Sequence, residues 1–154
     1  MDEEIIIREA TMEDINDVMR ILFDDDRARK KDQYIDPLPE CYREAYSFIL
    51  NDPNDIILVA CKGNKVIGTS QLRFKRHLAR HGAFRATIEA VRIDKNERSQ
   101  GVGTKLIKYS IETAKEKKCS LIELTSHISR TRAHSFYKRL GFESTHVGME
   151  MELI

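Results

Sequence analysis

Apolar positions recur along this chain with periods of about two and about 3.6 residues, and the switches between the two mark out its elements. Ile5 to Glu9, IIIRE, reads as a short strand. Thr11, followed by Glu13 and Asp14, is a helix start for a run in which Ile15, Val18, Met19 and Leu22 share one face, and the acidic DDDR after it ends that helix. Between Asp24 and Pro39 the polar, proline-containing sequence predicts loop or irregular helix, and Tyr42, Ala45, Tyr46 and Ile49 then give a second helix. IILVACKGNKVIGTSQLRF predicts two strands joined at Gly63-Asn64, with Lys62 and Lys65 leaving the loop length open, and ATIEAVRID is a third strand-like run.

Val102, Leu106, Ile107, Ile111 and Ala114 form one face of a further helix whose other face is Lys105, Lys108, Glu112 and Lys115. CSLIELTS is expected to be a buried strand. RAHSFYKRL is expected to be a short helix with Ala133, Phe136, Tyr137 and Leu140 on one side and Gly141 as its C-terminal cap. STHVGMEMEL should close the chain as an alternating strand. A strand, two helices, an antiparallel meander, then helix, strand, helix and strand argue an α+β fold around one mixed sheet. No repeat or linker interrupts 1–154, so one domain is expected.

Composition narrows the function without naming it. At 154 residues and 41% hydrophobic, the chain can bury a core without disulfides or metal. Lys plus Arg total 26 against 25 acids, so a net charge of +1 gives no global attraction to nucleic acid or to anionic membrane. Cys41, Cys61 and Cys119 are odd in number and widely spaced, which fits free thiols in a reducing cytoplasm better than a disulfide framework or a zinc site. MDEEIIIREA has neither the charge nor the apolar run of a targeting peptide, and no stretch approaches the ~20 apolar residues of a membrane span.

The stretch that carries chemistry is RSQGVGTKLI, Arg98 to Ile107. A P-loop needs lysine and then serine or threonine directly after its last glycine, whereas Gly103 is followed by Thr104 and then Lys105. A dinucleotide fingerprint needs a third glycine where Leu106 stands. What remains is a glycine-containing entry into a helix, either one that holds no ligand or, since a strand precedes it, one where free backbone N–H groups and the positive end of the helix dipole converge on an anion the size of a pyrophosphate.

The segment Arg98-Ser99-Gln100-Gly101-Val102-Gly103 also fits R/Q-x-x-G-x-G/A. With IEAVRI before it and AHSFYKRLGF after it, the chain resembles the GCN5-related N-acetyltransferase (GNAT) superfamily over nearly its whole length. LTSHISRTRAHSFYKRLGFESTH is most similar to the small-amine and aminoalkylphosphonate branch, where a histidine follows in the last strand, here His146. The resemblance implies a single-domain GNAT fold with a mixed, mostly antiparallel central sheet flanked by helices. It also implies acetyl-CoA as co-substrate, no metal, and direct transfer of acetyl to a primary amine.

Carried over by position, Arg98, Ser99, Gln100, Gly101, Val102, Gly103 and Thr104 match the loop that holds the CoA pyrophosphate. Val91 and Ile93 match strand positions whose backbone pairs with the pantetheine arm. Phe136 belongs to the same late segment. Arg130 stands where relatives commonly carry asparagine, a departure that leaves its contact with CoA open. Tyr137 matches a tyrosine that donates to the CoA sulfur, and Glu89 matches a carboxylate that serves as base, often through water.

The chemistry asks for such groups. An alkylammonium with a pKa of about 10.4 must lose a proton before it attacks, and a leaving thiolate with a pKa of about 8.5 must gain one. A backbone N–H near Val91 would steady the oxyanion.

Arg73 to Arg85, RFKRHLARHGAFR, has five Lys/Arg, two histidines and no acid. It reads as a solvated loop, or as a lip for an acidic acceptor or for the CoA ribose phosphate. His77 and His81 would share a metal only on a helix, and no third ligand presents itself. Asp24, Asp25 and Asp26 offer an acidic patch for a polyamine or aminoglycoside, or simply a solvated helix end. Two other functions stand beside small-amine transfer: acetylation of protein lysines or N-termini, which needs an open peptide groove, and a non-catalytic acyl-CoA-binding module, which would lack the thiolate acid. Relatives often dimerise through the final strands, and the alternation of VGMEMELI permits a homodimer, as it does an edge strand closed by its own sheet.

Overall fold

The structure, a computed structural model, describes residues 3–24 and 34–154. In chain order these form β1 (Ile5–Glu9), a 3₁₀ turn (Met12–Asp14), α1 (Ile15–Phe23), α2 (Glu40–Leu50), β2 (Asp55–Lys62), β3 (Lys65–Arg76), a single turn α3 (Ala79–Gly82), β4 (Phe84–Ile93), a second 3₁₀ turn (Lys95–Glu97), α4 (Val102–Glu116), β5 (Leu121–Leu124) and α5 (Thr131–Arg139). The sheet runs β1-β2-β3-β4-β5, antiparallel through β4, with β5 joining β4 in parallel. This is the α+β architecture the sequence predicted, a mixed and mostly antiparallel sheet with helices on both faces.

Local chemistry accounts for the frame. Thr11 and Asp14 form the capping box ahead of α1. Asp14 accepts from the Thr11 N–H at 2.8 Å and from both terminal nitrogens of Arg8 at 2.7 and 2.9 Å, tying β1 to the helix start. The β2–β3 loop is a two-residue turn, with Lys62 opposite Lys65 and Gly63 at φ +56°, where glycine is free of the Cβ clash.

Ile57, Val59 and Val66 meet Ile15, Val18, Met19 and Tyr46 on one face of the sheet. On the other face Leu58, Ala60 and Ile67 meet Val102 and Leu106, while Leu72, Phe74, Ala86 and Ile88 meet Ile107 and Ala114. A two-faced sheet explains why β2 is apolar nearly throughout rather than alternating.

Two expectations need correction. The strand read in CSLIELTS is short, and each of its residues is half-buried rather than buried, because β5 ends the sheet and has a strand on one side only. STHVGMEMEL joins no sheet: residues 143–154 carry no strand, turn or helix and are exposed throughout. Alternation records a chain suited to pairing, and pairing also requires a neighbour within reach.

Candidate active site

β4 is where the candidate residues converge. It pairs with β5 only from Arg85 to Ile88, so from Glu89 to Ile93 its outer edge has no strand beside it among the described residues. The parting coincides with a bulge: Thr69 faces Arg92 and Gln71 faces Glu89, leaving Ser70 opposite both Ala90 and Val91, with Ala90 at φ +53°. Such a bulge redirects the strand and frees backbone polar groups for another partner.

At the end of β4 the chain is held tightly. Asp94 is buried, accepts the Asn96 N–H at 3.0 Å and an Arg20 N–H at 3.3 Å, and its carboxyl is pulled below the usual range, chiefly by the Asn96 bond. Lys62 reaches across to Glu97 at 3.2 Å and to the Gln100 side-chain oxygen at 3.4 Å.

The loop Arg98–Gly101 then enters α4 through two residues in the left-handed region, Ser99 (φ +63°) and Gly101 (φ +80°). No side chain caps α4; its first internal bond runs from the Lys105 N–H to the Gly101 carbonyl. The N–H groups of Val102, Gly103 and Thr104 therefore sit at a bare helix N-terminus, the donor set that an anion fits. The Val102 side chain is itself core, so that residue has only its backbone to offer.

On the α5 side the Phe136 ring lies over Gly103, where an added Cβ would meet it at 3.4 Å, an ordinary contact. Phe136 and Tyr137 pack edge to face at 5.2 Å. Burial pushes the Tyr137 phenol above its ordinary value, opposed by the cations of Arg92 and Arg130. Tyr137 is thus protonated at neutral pH and able to donate.

Glu89 lies across the sheet, on the face covered by α1 and α2. Arg73 stands 3.8 Å from it and 3.3 Å from Asp55, and Asp55 also accepts from Gln71 at 2.8 Å. Burial raises the Asp55 pKa, with the Gln71 bond and Arg73 opposing. A cavity of about 180 Å³ opens on this face beside Ala90, lined by Val18, Met19, Tyr42, Tyr46 and Ile57 among others. Ser70 lines it too and is buried, with its Oγ unpartnered among the described residues. Glu89 and Tyr137 thus approach the free edge of β4 from opposite faces.

Several expectations fall out differently. The carbonyls of Val91 and Ile93 each accept a guanidinium, from Arg92 at 2.8 Å and Arg98 at 3.4 Å, leaving one lone pair apiece for any other donor. The basic segment forms the far β3–β4 corner, separated from the Arg98–Thr104 loop by about 30 Å of extended β4. It is remote from any pyrophosphate there; among its residues Arg73 reaches Glu89. Arg80 and His81 have left-handed backbones, so His77 and His81 do not share a helical face. No group of three His, Cys, Asp or Glu suited to a metal exists among the described residues.

His146 stands in the exposed terminal segment, bonded to Thr145. Asp24 pairs with Lys95 at 3.7 Å, while Asp25 and Asp26 lie outside the described residues. Sequence reading missed Arg92, Ser70 and Gly68, and it held Arg73 only as one cation of the basic segment. Arg92 and Ser70 read as ordinary strand residues; only strand register and the bulge bring them, and Arg73, to the site.

The chain is similar to known proteins over most of its length. The model of the "Acetyltransferase (GNAT) family" matches residues 15–142. An aminoalkylphosphonate N-acetyltransferase of Salmonella typhimurium is 27% identical over 140 residues, covering 91% of this chain and 86% of that protein. N-alpha-acetyltransferase 30 of Dictyostelium discoideum, a longer protein, is 32% identical over 106 residues, 68% of this chain and 56% of that one. A crystal structure named as a transcriptional regulator from Bacillus halodurans C-125 superposes with a TM-score of 0.94 at 41% identity, covering 97% of this chain and all of that one.

Proposed function

The chain belongs to the acetyltransferase (GNAT) family, whose enzymes use acetyl-CoA as co-substrate, and on that premise we propose that it transfers the acetyl group directly to the primary amine of a small molecule in the cytoplasm. The observation that carries the reading is the free edge of β4, Glu89 to Ile93, which runs from the cavity beside Ala90 to the bare N-terminus of α4. On this reading the N–H groups of the Arg98–Thr104 loop hold the pyrophosphate of CoA, and the β4 edge at Val91 and Ile93 pairs with its pantetheine arm. Arg130, with Phe136 packed against Gly103, bounds the α5 side of the channel.

Glu89, directly or through a water, takes the proton that the acceptor ammonium must lose. The freed amine then attacks the thioester carbonyl, a carbon–nitrogen bond forms as the carbon–sulfur bond breaks, and Tyr137 protonates the departing thiolate. A backbone N–H near Val91 steadies the carbonyl oxygen. Arg73 fixes the Glu89 carboxylate, and the Ser70 hydroxyl is available to orient the acceptor. A small cavity walled by α1 and α2 suits a compact acceptor better than a peptide. The name of the Salmonella relative puts aminoalkylphosphonates first on the panel, with Arg73 as the cation within reach of their anionic group.

The test is titration of acetyl-CoA by calorimetry, followed by thiol release over aminoalkylphosphonates, polyamines, aminoglycosides and peptides. Micromolar binding with turnover on a small amine is expected. Turnover on peptides alone would move the chain to the N-terminal or lysine class, binding without turnover to a regulatory acyl-CoA module, and no binding would overturn the reading of the Arg98–Thr104 loop.

A further inference from the structure

Between Glu89 and the β3–β4 corner, the two faces of β4 differ sharply. Ala86 and Ile88 are buried on the α4 side, in one cluster with Leu72, Phe74 and Ile107. The period of two puts Arg85, Thr87 and Glu89 on the opposite face. The register sets them beside Arg73 and Lys75 of β3 and Glu123 of β5, and none of these six residues is buried.

This open face carries positive charge that its own carboxylates do not answer. Lys75 stands directly opposite Arg85 in the antiparallel ladder, and like charges so placed repel and cost stability. Lys75 is exposed and has no carboxylate paired with it among the described residues. The Arg85 side chain is only 19% exposed, and the nearest carboxylate, Glu123, stays 3.9 Å away. The Arg85 Nε is buried with no partner among the described residues, and a guanidinium N–H left without an acceptor is costly. Glu123 is also engaged elsewhere, 3.5 Å from the Thr87 hydroxyl. Arg73, one row nearer Glu89, is the contrast: Asp55 at 3.3 Å and Glu89 at 3.8 Å already share it.

We propose that Lys75 and Arg85 form an anion subsite that holds a phosphonate or phosphate group of the acceptor while the acceptor's amine lies at Glu89. The proposal deepens the small-amine reading and rests on it. A guanidinium donates to two oxygens of a tetrahedral dianion at once, the Lys75 ammonium supplies a third donor, and the bound charge removes the repulsion across the ladder. Four residues of β4, about 13 Å of strand, separate Arg85 from Glu89 on the same face. The acceptor is therefore elongated, with its anion many bonds from its nitrogen. A short acceptor such as aminomethylphosphonate reaches only Arg73, where its anion has to displace Asp55 or Glu89. A polyamine brings a second cation to Lys75 and Arg85 and is repelled.

The test has two arms, both on the full chain. The first needs no turnover: hexylphosphonate, which has no amine, is titrated into wild type, Arg85→Gln and Lys75→Gln and followed by phosphorus NMR. Millimolar binding to the wild type that weakens at least tenfold in each variant is expected, with Lys75→Arg retaining it. No binding to the wild type, or equal binding by the glutamine variants, would overturn the subsite. The second arm measures thiol release from acetyl-CoA with aminohexylphosphonate, aminomethylphosphonate and hexylamine. Wild type should prefer aminohexylphosphonate to either of the others at least tenfold in kcat/KM, and Arg85→Gln should collapse its ratio over hexylamine, mainly through KM. A ratio that survives Arg85→Gln would overturn the proposal. Hexylphosphonate binding as expected, with turnover on no amine, would instead keep the anion subsite and overturn the small-amine reading.

Discussion

Gly68 tests how closely α4 must approach the sheet, and therefore how its N-terminus is aimed. A Cβ at this position in β3 would stand 2.9 Å from Ile93 Cδ1, 3.2 Å from Val102 Cγ1 and 3.3 Å from Leu106 Cδ1. All three lie inside ordinary carbon–carbon contact, and Val102 and Leu106 belong to the first turns of α4. Gly68→Ala therefore has to move the helix or twist three packed side chains, a cost of about 1–3 kcal/mol for overfilling a tight core. The backbone at Gly68 is not left-handed, so alanine returns about 0.4–1 kcal/mol by restricting the unfolded chain.

A net loss of about 1–2 kcal/mol is expected, or a fall in Tm of roughly 2–8 °C for a chain of this size. The displacement also tilts the N–H groups of Val102, Gly103 and Thr104, so the KM for acetyl-CoA should rise several-fold while kcat changes less. Urea unfolding and initial-rate kinetics on the one variant read both effects. Unchanged or increased stability, together with an unchanged KM, would refute the claim that contact between Gly68 and α4 sets the position of the loop.

Other consequences follow from single residues. Tyr137→Phe keeps the ring contacts with Phe136 and Phe142 but removes the donor; kcat should fall roughly 10²-fold or more with acetyl-CoA binding retained by calorimetry. Because burial raises the Tyr137 pKa, an alkaline limb due to this group should lie above pH ~10 in wild-type rate profiles and vanish in the variant. Gly101→Ala meets no neighbour within 4 Å, so its cost is backbone strain at φ +80° alone, about 1 kcal/mol by thermal unfolding, with weaker acetyl-CoA binding. Asp14→Asn should cost about 1–2 kcal/mol, since the paired Arg8 side chain is 43% exposed and screened by water. The Asp14 carboxyl is held low, chiefly by Arg8, so its contribution is full above the ordinary carboxylate pKa and is lost as pH falls through the depressed value; wild type and variant should therefore converge in acid.

What the sequence determined by itself was whatever depends on local spacing. The period switches placed the five strands and the helices other than α3, Thr11 with Asp14 started the first helix, and Gly63-Asn64 marked a turn whose two-residue length was set by the strand register. Gly101 and Gly103, either side of Val102, marked the bare helix end, because cap chemistry and left-handed backbone are properties of a few adjacent residues. Tertiary structure decided the rest. Only strand register sets Arg73 beside Glu89 and puts the basic corner about 30 Å of strand away from the Arg98–Thr104 loop. Only the packing of α4 gives Gly68 its meaning. The alternation of VGMEMEL shows why: a period of two says which side chains would share a face, but whether a strand forms depends on an edge to pair with, and residues 143–154 pair with none in the sheet.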